Sequence, residues 1–239
     1  MSRLYVLRHG QASFFAADYD QISDLGREQA FCFGRYFAKQ GKDLTRVFLG
    51  PRRRHAQTLE AVMEGAKGTI RPGVDTLIVP ELDEHQVDQF LRCDPKVLEN
   101  WEGELDGLSR SHAKAEKPEE KLGAFQRLFE ALAEAWICGR LIHPSVEPWP
   151  DFQRRVWRAL DEIRAAAEPG SRSLIITSAG VIGAMCQYAV KCGDRSALEL
   201  SWRVRNASVT EFLFSGSRFT LDHFNSMAHL ESSELWTFR

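Results

Sequence analysis

Little in this chain of 239 residues favours a partner by charge or by long apolar surface. Lysine and arginine number 31 against 33 aspartates and glutamates, a net charge of −2, so no general attraction to nucleic acid is built in. The one basic run, Arg52-Arg53-Arg54, is short, isolated and free of interleaved aromatics. No apolar run approaches the roughly 20 residues of a membrane span, and no basic-then-apolar leader precedes the first strand-like segment. The five cysteines, Cys32, Cys93, Cys138, Cys186 and Cys192, are odd in number and never form a C-x-x-C pair. They suit reduced thiols in a cytoplasmic protein. His-x-His, His-Glu-x-x-His and mixed Cys/His ligand spacings are missing too, so no metal is expected, and nothing in the sequence implies an organic cofactor.

What remains is the composition of one soluble enzyme domain, 44% hydrophobic and 27% charged, large enough to bury a sizeable core. Apolar runs at 4–7, 46–49, 74–79, 173–177 and 209–214 predict buried strands, with a weaker alternating run near 218–224. Helical patterns lie between them. Large side chains recur at Phe31, Tyr36 and Phe37, then at Leu59, Val62 and Met63. They recur again at Phe125, Leu128, Phe129, Leu132 and Trp136, and at Phe152, Val156, Leu160 and Ile163. The alternation predicts an α/β fold: a three-layer α/β/α sandwich with a mostly parallel central sheet. A helical, cap-like insertion at about 86–150 follows the third strand, and its polar stretch Ser109 to Lys121 is expected as an exposed loop.

Chemistry concentrates at the strand ends. The run Leu4-Tyr5-Val6-Leu7 leads directly into Arg8-His9-Gly10-Gln11, so a cation, an imidazole and a glycine stand where a parallel strand opens into a ligand crevice. Neutral imidazole attacks phosphorus, and a guanidinium holds phosphate oxygens by two parallel hydrogen bonds. Gly10 is expected to let the backbone approach the anion. After the second strand, Gly50-Pro51 leads into a helix whose first turn carries three arginines. Cations there oppose the macrodipole and call for an anion.

With Leu-Arg-His-Gly at the first strand end and Pro-x-x-Arg-x-x-Gln-Thr at the second, the chain resembles the histidine phosphatase superfamily, which includes the cofactor-dependent phosphoglycerate mutases. The segment Ile22 to Ala30, the stretch Asn206 to Glu211 and the pair Phe224-Asn225 are similar to further parts of that family. The resemblance implies a phosphomonoesterase that acts on a small phosphorylated substrate through a phosphohistidine. It implies His9 as nucleophile and Arg8 and Arg54 as phosphate clamps, with Gln11 beside them. Glu84, in Pro80-Glu81-Leu82-Asp83-Glu84-His85, matches the proton donor, while Glu81 and Asp83 compete for that part. Repulsion from a bound phosphate would raise such a donor's proton affinity. Arg52 and Arg53 are divided between substrate contact and a solvated helix face.

One departure stands out. Where the family's fourth strand ends in Ser-His-Gly, this chain reads Thr177-Ser178-Ala179-Gly180, and Ser178 occupies the histidine's place as a phosphate ligand. Loss of one such donor costs about 3 kcal/mol of transition-state stabilisation, which predicts a slow site. Arg52, Arg53, His85 and His223 are the candidates to supply the missing cation. Three alternatives follow: a non-catalytic phospholigand-binding module, a serine hydrolase using Ser178 with His223 or His229 as base, and a phosphoglycerate mutase. The last is disfavoured by the absent histidine and by Phe15, which stands where mutase motifs carry asparagine.

Overall fold

A computed structural model describes residues 1–12, 20–41, 43–71, 73–93 and 103–238. Phe15 lies outside them. The chain divides into two compact units, one of residues 1–84 with 155–239 and one of residues 85–154.

The first unit is built on a six-stranded sheet. In chain order the strands are β1 (Ser2–Arg8), β2 (Arg46–Leu49), β3 (Thr76–Ile78), β4 (Arg172–Thr177), β5 (Val209–Ser215) and β6 (Arg218–Ser226). In space they lie β3-β2-β4-β1-β5-β6. The pairs β2–β3, β2–β4 and β1–β4 are parallel, and β5 alone runs against the rest. This is the expected α/β fold, a mostly parallel central sheet flanked by helices. The central strands β1, β2 and β4 are covered on both faces, which is why each reads as a continuous apolar run. β3 departs from expectation. Of the run 74–79 only three residues pair, at the sheet edge, and Leu77 and Ile78 are exposed there.

Helix α1 (Asp24–Lys39) opens on Ser23, whose Oγ accepts from the Gly26 amide at 3.0 Å. Its buried face carries Ala30, Phe33 and Phe37 into a core with Tyr5, Leu7, Val47 and Leu174. Helix α2 (Arg53–Ala66) adds Ala61, Val62 and Ala66 to the same core. The chain leaves β1 toward β2, on one side of β4, whereas β4 feeds α6 (Ala179–Val190), α7 (Asp194–Arg203) and then β5 on the other side. Opposite departures of this kind open a crevice at the carboxyl ends of neighbouring strands.

Gly10 stands at that opening under a steric constraint that the local sequence does not announce. A Cβ built there would lie 2.2 Å from the Gly26 carbonyl oxygen, so the constraint is the first turn of α1 pressing on the end of β1. Backbone cannot yield as a flexible side chain does. Gly10→Ala should therefore cost about 3 kcal/mol, read as a fall in melting temperature of roughly 5–10 °C. An unchanged melting temperature would show that this contact relaxes freely.

The second unit is helical. A 3₁₀ turn (Val87–Arg92) precedes α3 (Glu104–Lys114), α4 (Pro118–Ile137) and the start of α5 (Trp149–Ala165). Leu128, Leu132, Trp136, Trp149 and Phe152 are buried, and Trp136 Nε1 donates to the Glu147 carbonyl at 2.7 Å. The stretch Ser109 to Lys121 is mostly helix rather than loop: it holds the end of α3 and, from Pro118, the start of α4. Its polar composition reflects a helix with one buried residue, Leu105, acids in the first turn, bases in the last and an Asp106–Arg110 ion pair.

Candidate active site

The end of β1 is pinned from both sides. His9 N donates to Thr177 O at 2.9 Å, extending the β1–β4 register, and Ala207 N donates to His9 O at 3.1 Å. The imidazole is buried, and its Nδ1 lies 2.7 Å from the Gly10 carbonyl. A carbonyl only accepts, so Nδ1 carries the proton and Nε2 keeps its lone pair. Burial, then Arg54, then Arg8 and His55 hold the His9 pKa well below its ordinary value, against the opposing pull of the Gly10 bond. The ring is therefore neutral at neutral pH. Neutral imidazole with a free Nε2 lone pair is the nucleophilic form.

Helix α2 brings in the second group. Arg54 is buried, and its Nη2 lies 3.4 Å from Ser178 Oγ. Its Nη1 lies 3.6 Å from Asp20 Oδ1, and Asp20 Oδ2 accepts from the Arg53 amide at 2.9 Å. Asp20 thus caps α2 from a distant part of the chain. Arg52 binds both carboxylate oxygens of Asp83, at 2.5 and 3.0 Å. For Arg52 and Arg54, the anions that the arginine cluster called for are carboxylates of the protein itself. Arg53 is exposed.

The acids after β3 separate cleanly. Asp83 pairs with Arg52, and Glu81 meets Arg158 at 3.1 Å. Glu84 instead accepts from Gly180 N at 3.1 Å, in the first turn of α6, two residues beyond Ser178. Its loop is fixed by Arg155, whose Nη1 donates to the Glu81 and Asp83 carbonyls, and by Thr177 Oγ1, which donates to Leu82 O at 2.7 Å. Arg8 donates to the Val204 carbonyl. Gln11 sits in the α1 cap, with its Oε1 accepting from Ser23 Oγ at 2.9 Å.

One residue lies here that the sequence motifs do not single out. His55 is fully buried, its Nε2 is 3.0 Å from Ser178 Oγ, and its ring centroid is 5.8 Å from that of His9. Of the residues expected to replace the absent histidine, Arg52 is tied to Asp83 and His223, on the edge strand β6, is exposed beside Asp222. His85 belongs to the second unit, where its ring packs against Phe129, Trp136 and Phe152. Burial first and Arg54 second push the His55 pKa down to about 4, and burial does the same to His229, packed against Phe33 and Tyr36.

A pH dependence follows. His9, His55 and His229 are neutral when folded and protonate near 6.5 when unfolded, so the unfolded chain binds more protons as pH falls below about 6.5. Their folded pKa values lie below the unfolded ones, so stability is full above about 6.5 and is lost as pH falls from there toward 4. Three such groups give a slope of at most roughly 4 kcal/mol per pH unit. The melting temperature should drop from pH 7 to 5; a flat profile would contradict three buried neutral rings.

Among the described residues, one group could gather around a metal ion: Glu211, Asp222 and His223, with ligand atoms within 4.8 Å of one another. The group crosses β5 and β6, so linear spacing does not reveal it. Arg3 already bridges its two carboxylates, at 2.5 and 2.8 Å.

A neutral histidine, two arginines and a helix-bound carboxylate around the carboxyl ends of β1 and β4 form a cluster suited to a tetrahedral oxyanion. The model of the histidine phosphatase superfamily (branch 1) matches residues 4–137 and 92–227, and the chain belongs to that superfamily. Its structure is similar to that of a mycobacterial glucosyl-3-phosphoglycerate phosphatase, at 21% identity and a TM-score of 0.62 over 94% of this chain and 98% of that one. It is also similar to the alpha-ribazole phosphatase of Shigella flexneri, at 19% identity and a TM-score of 0.62 over 95% and 97% of the two chains. Phosphoglycerate mutase from Bacillus anthracis gives 19% identity and a TM-score of 0.62 over 95% and 94%. No curated protein matches the chain in sequence.

Proposed function

We propose that the protein is a cytoplasmic phosphomonoesterase that hydrolyses a small phosphorylated substrate through a phosphohistidine at His9. The observation that carries this reading is the buried neutral imidazole of His9, its Nδ1 proton tied to Gly10 and two arginines close enough to act on its charge. Nε2 attacks phosphorus as the ester P–O bond breaks, and Glu84 protonates the departing oxygen. Water then cleaves the P–N bond, with Glu84 taking the proton back. Arg8, Arg54 and Ser178 hold the phosphoryl oxygens. Superfamily membership and the phosphatases among its structural relatives support the reaction class. Five free cysteines support a reducing compartment, and among the described residues no helix is long and apolar enough to cross a membrane.

The serine hydrolase alternative gains a base, since His55 lies within hydrogen-bond reach of Ser178. Arg54 on that same oxygen favours an anionic substrate over a neutral ester. Incubation with an aryl phosphate, rapid quenching and peptide mapping test the proposal. An acid-labile phosphoryl group on the His9 peptide is expected. Label on Ser178, or cleavage of carboxyl esters without cleavage of phosphates, would overturn it.

A further inference from the structure

Ser178 stands where the superfamily motif has a histidine, yet the space beside it is occupied by an imidazole from another element. His55 Nε2 is 3.0 Å from Ser178 Oγ, and the ring is fully buried. Its opposite edge rests on the end of β2: a Cβ added to Gly50 would fall 2.5 Å from His55 Nδ1 and 2.7 Å from Cε1. The ring thus requires both a position without a side chain at residue 50 and a small side chain at residue 178. Arg54 meets the same hydroxyl from the preceding position of α2. A buried imidazole beside a buried guanidinium is costly to hold for packing alone, where an apolar residue of similar volume would serve.

We propose that His55 takes the part of the missing histidine, delivered from α2 instead of from β4, as a positioning residue that acts through Ser178. With its proton on Nε2, the ring donates to Ser178 Oγ. The hydroxyl proton is then left to donate to a phosphoryl oxygen held by Arg54, in the chain Nε2–H to Oγ–H to O–P. No bond to either residue forms or breaks. The inference rests on the phosphomonoesterase reading above. It also sets the outcome of restoring the motif: Ser178→His alone forces a second imidazole into filled space and lowers both stability and rate.

The test is kcat and KM on p-nitrophenyl phosphate, with melting temperature, for the parent, His55→Ala, His55→Gln, Ser178→His and the double variant His55→Ala/Ser178→His. His55→Ala should lower kcat about tenfold to a hundredfold at nearly unchanged KM. Gln keeps an N–H that can reach Ser178 Oγ, and the double variant returns an imidazole to the same volume from β4. At least one of these two should recover kcat to within about fivefold of the parent, which a packing role would not produce. If neither recovers activity, or if His55→Ala matches the parent in kcat, the role is overturned while an active parent leaves the phosphomonoesterase standing. Should the parent hydrolyse no phosphomonoester and form no phosphohistidine, the function falls and this role with it.

Discussion

His9→Ala should give a folded protein whose turnover of an aryl phosphate is at least about 10⁴-fold below that of the parent, with no trapped phosphoenzyme. Removing the nucleophile abolishes the covalent route, and what remains is the electrostatic help of the arginines, which does not replace the step. The fold should survive because the side chain's one hydrogen bond is to its own neighbour, Gly10, while the strand register runs through backbone groups. The substitution also takes a titratable ring out of a cation-rich interior, so the variant should lose less stability than the parent between pH 7 and 5. Melting curves at both pH values and single-turnover labelling decide the matter. A variant that still turns over at the parent's rate would remove His9 from the mechanism.

Arg54→Lys should lower kcat by about a hundredfold, with a smaller effect on KM. The guanidinium serves two partners in two directions, Ser178 through one terminal nitrogen and Asp20 through the other. An ammonium has one nitrogen and cannot span both directions, nor offer a phosphoryl group two parallel N–H donors while keeping Ser178. Arg53→Ala is the control, because that side chain is exposed on the same turn, and it should leave both constants near the parent's. Equal losses in the two variants would mean that another arginine of the run is the phosphate clamp.

Much of the frame was legible because buried parallel strands write themselves as apolar runs. β1, β2 and β4 pair along nearly the stretches that the sequence marks, and the polar groups at their ends are those that the motifs single out. What escaped depends on contacts between distant parts of the chain. His55 looks like one more polar residue of a helix until β4 brings Ser178 beside it, 123 positions away. Asp20 gives no cap signal, since it caps a helix that begins 33 residues later. Arg52 looked like a possible substrate ligand because its partner, Asp83, comes from the loop after β3. The helix ending at Lys114 was hidden for a different reason: it buries so little that it has almost no apolar stripe to read. The constraint on Gly10 is hidden in the same way as the His55 contact, because the backbone that crowds it belongs to Gly26.

The carboxylate that caps α2 has one more consequence. Because Asp20 already faces the Arg54 guanidinium, a phosphoryl group bound as proposed would not meet a bare cation; it would enter by exchange, one anion relieving another. The free energy of binding is then a difference between two ion pairs, far smaller than the attraction of phosphate for an uncompensated arginine. Such a balance works in both directions. After the proposed hydrolysis Asp20 would be at hand to reclaim the guanidinium, and inorganic phosphate would depart without stranding a buried charge behind it.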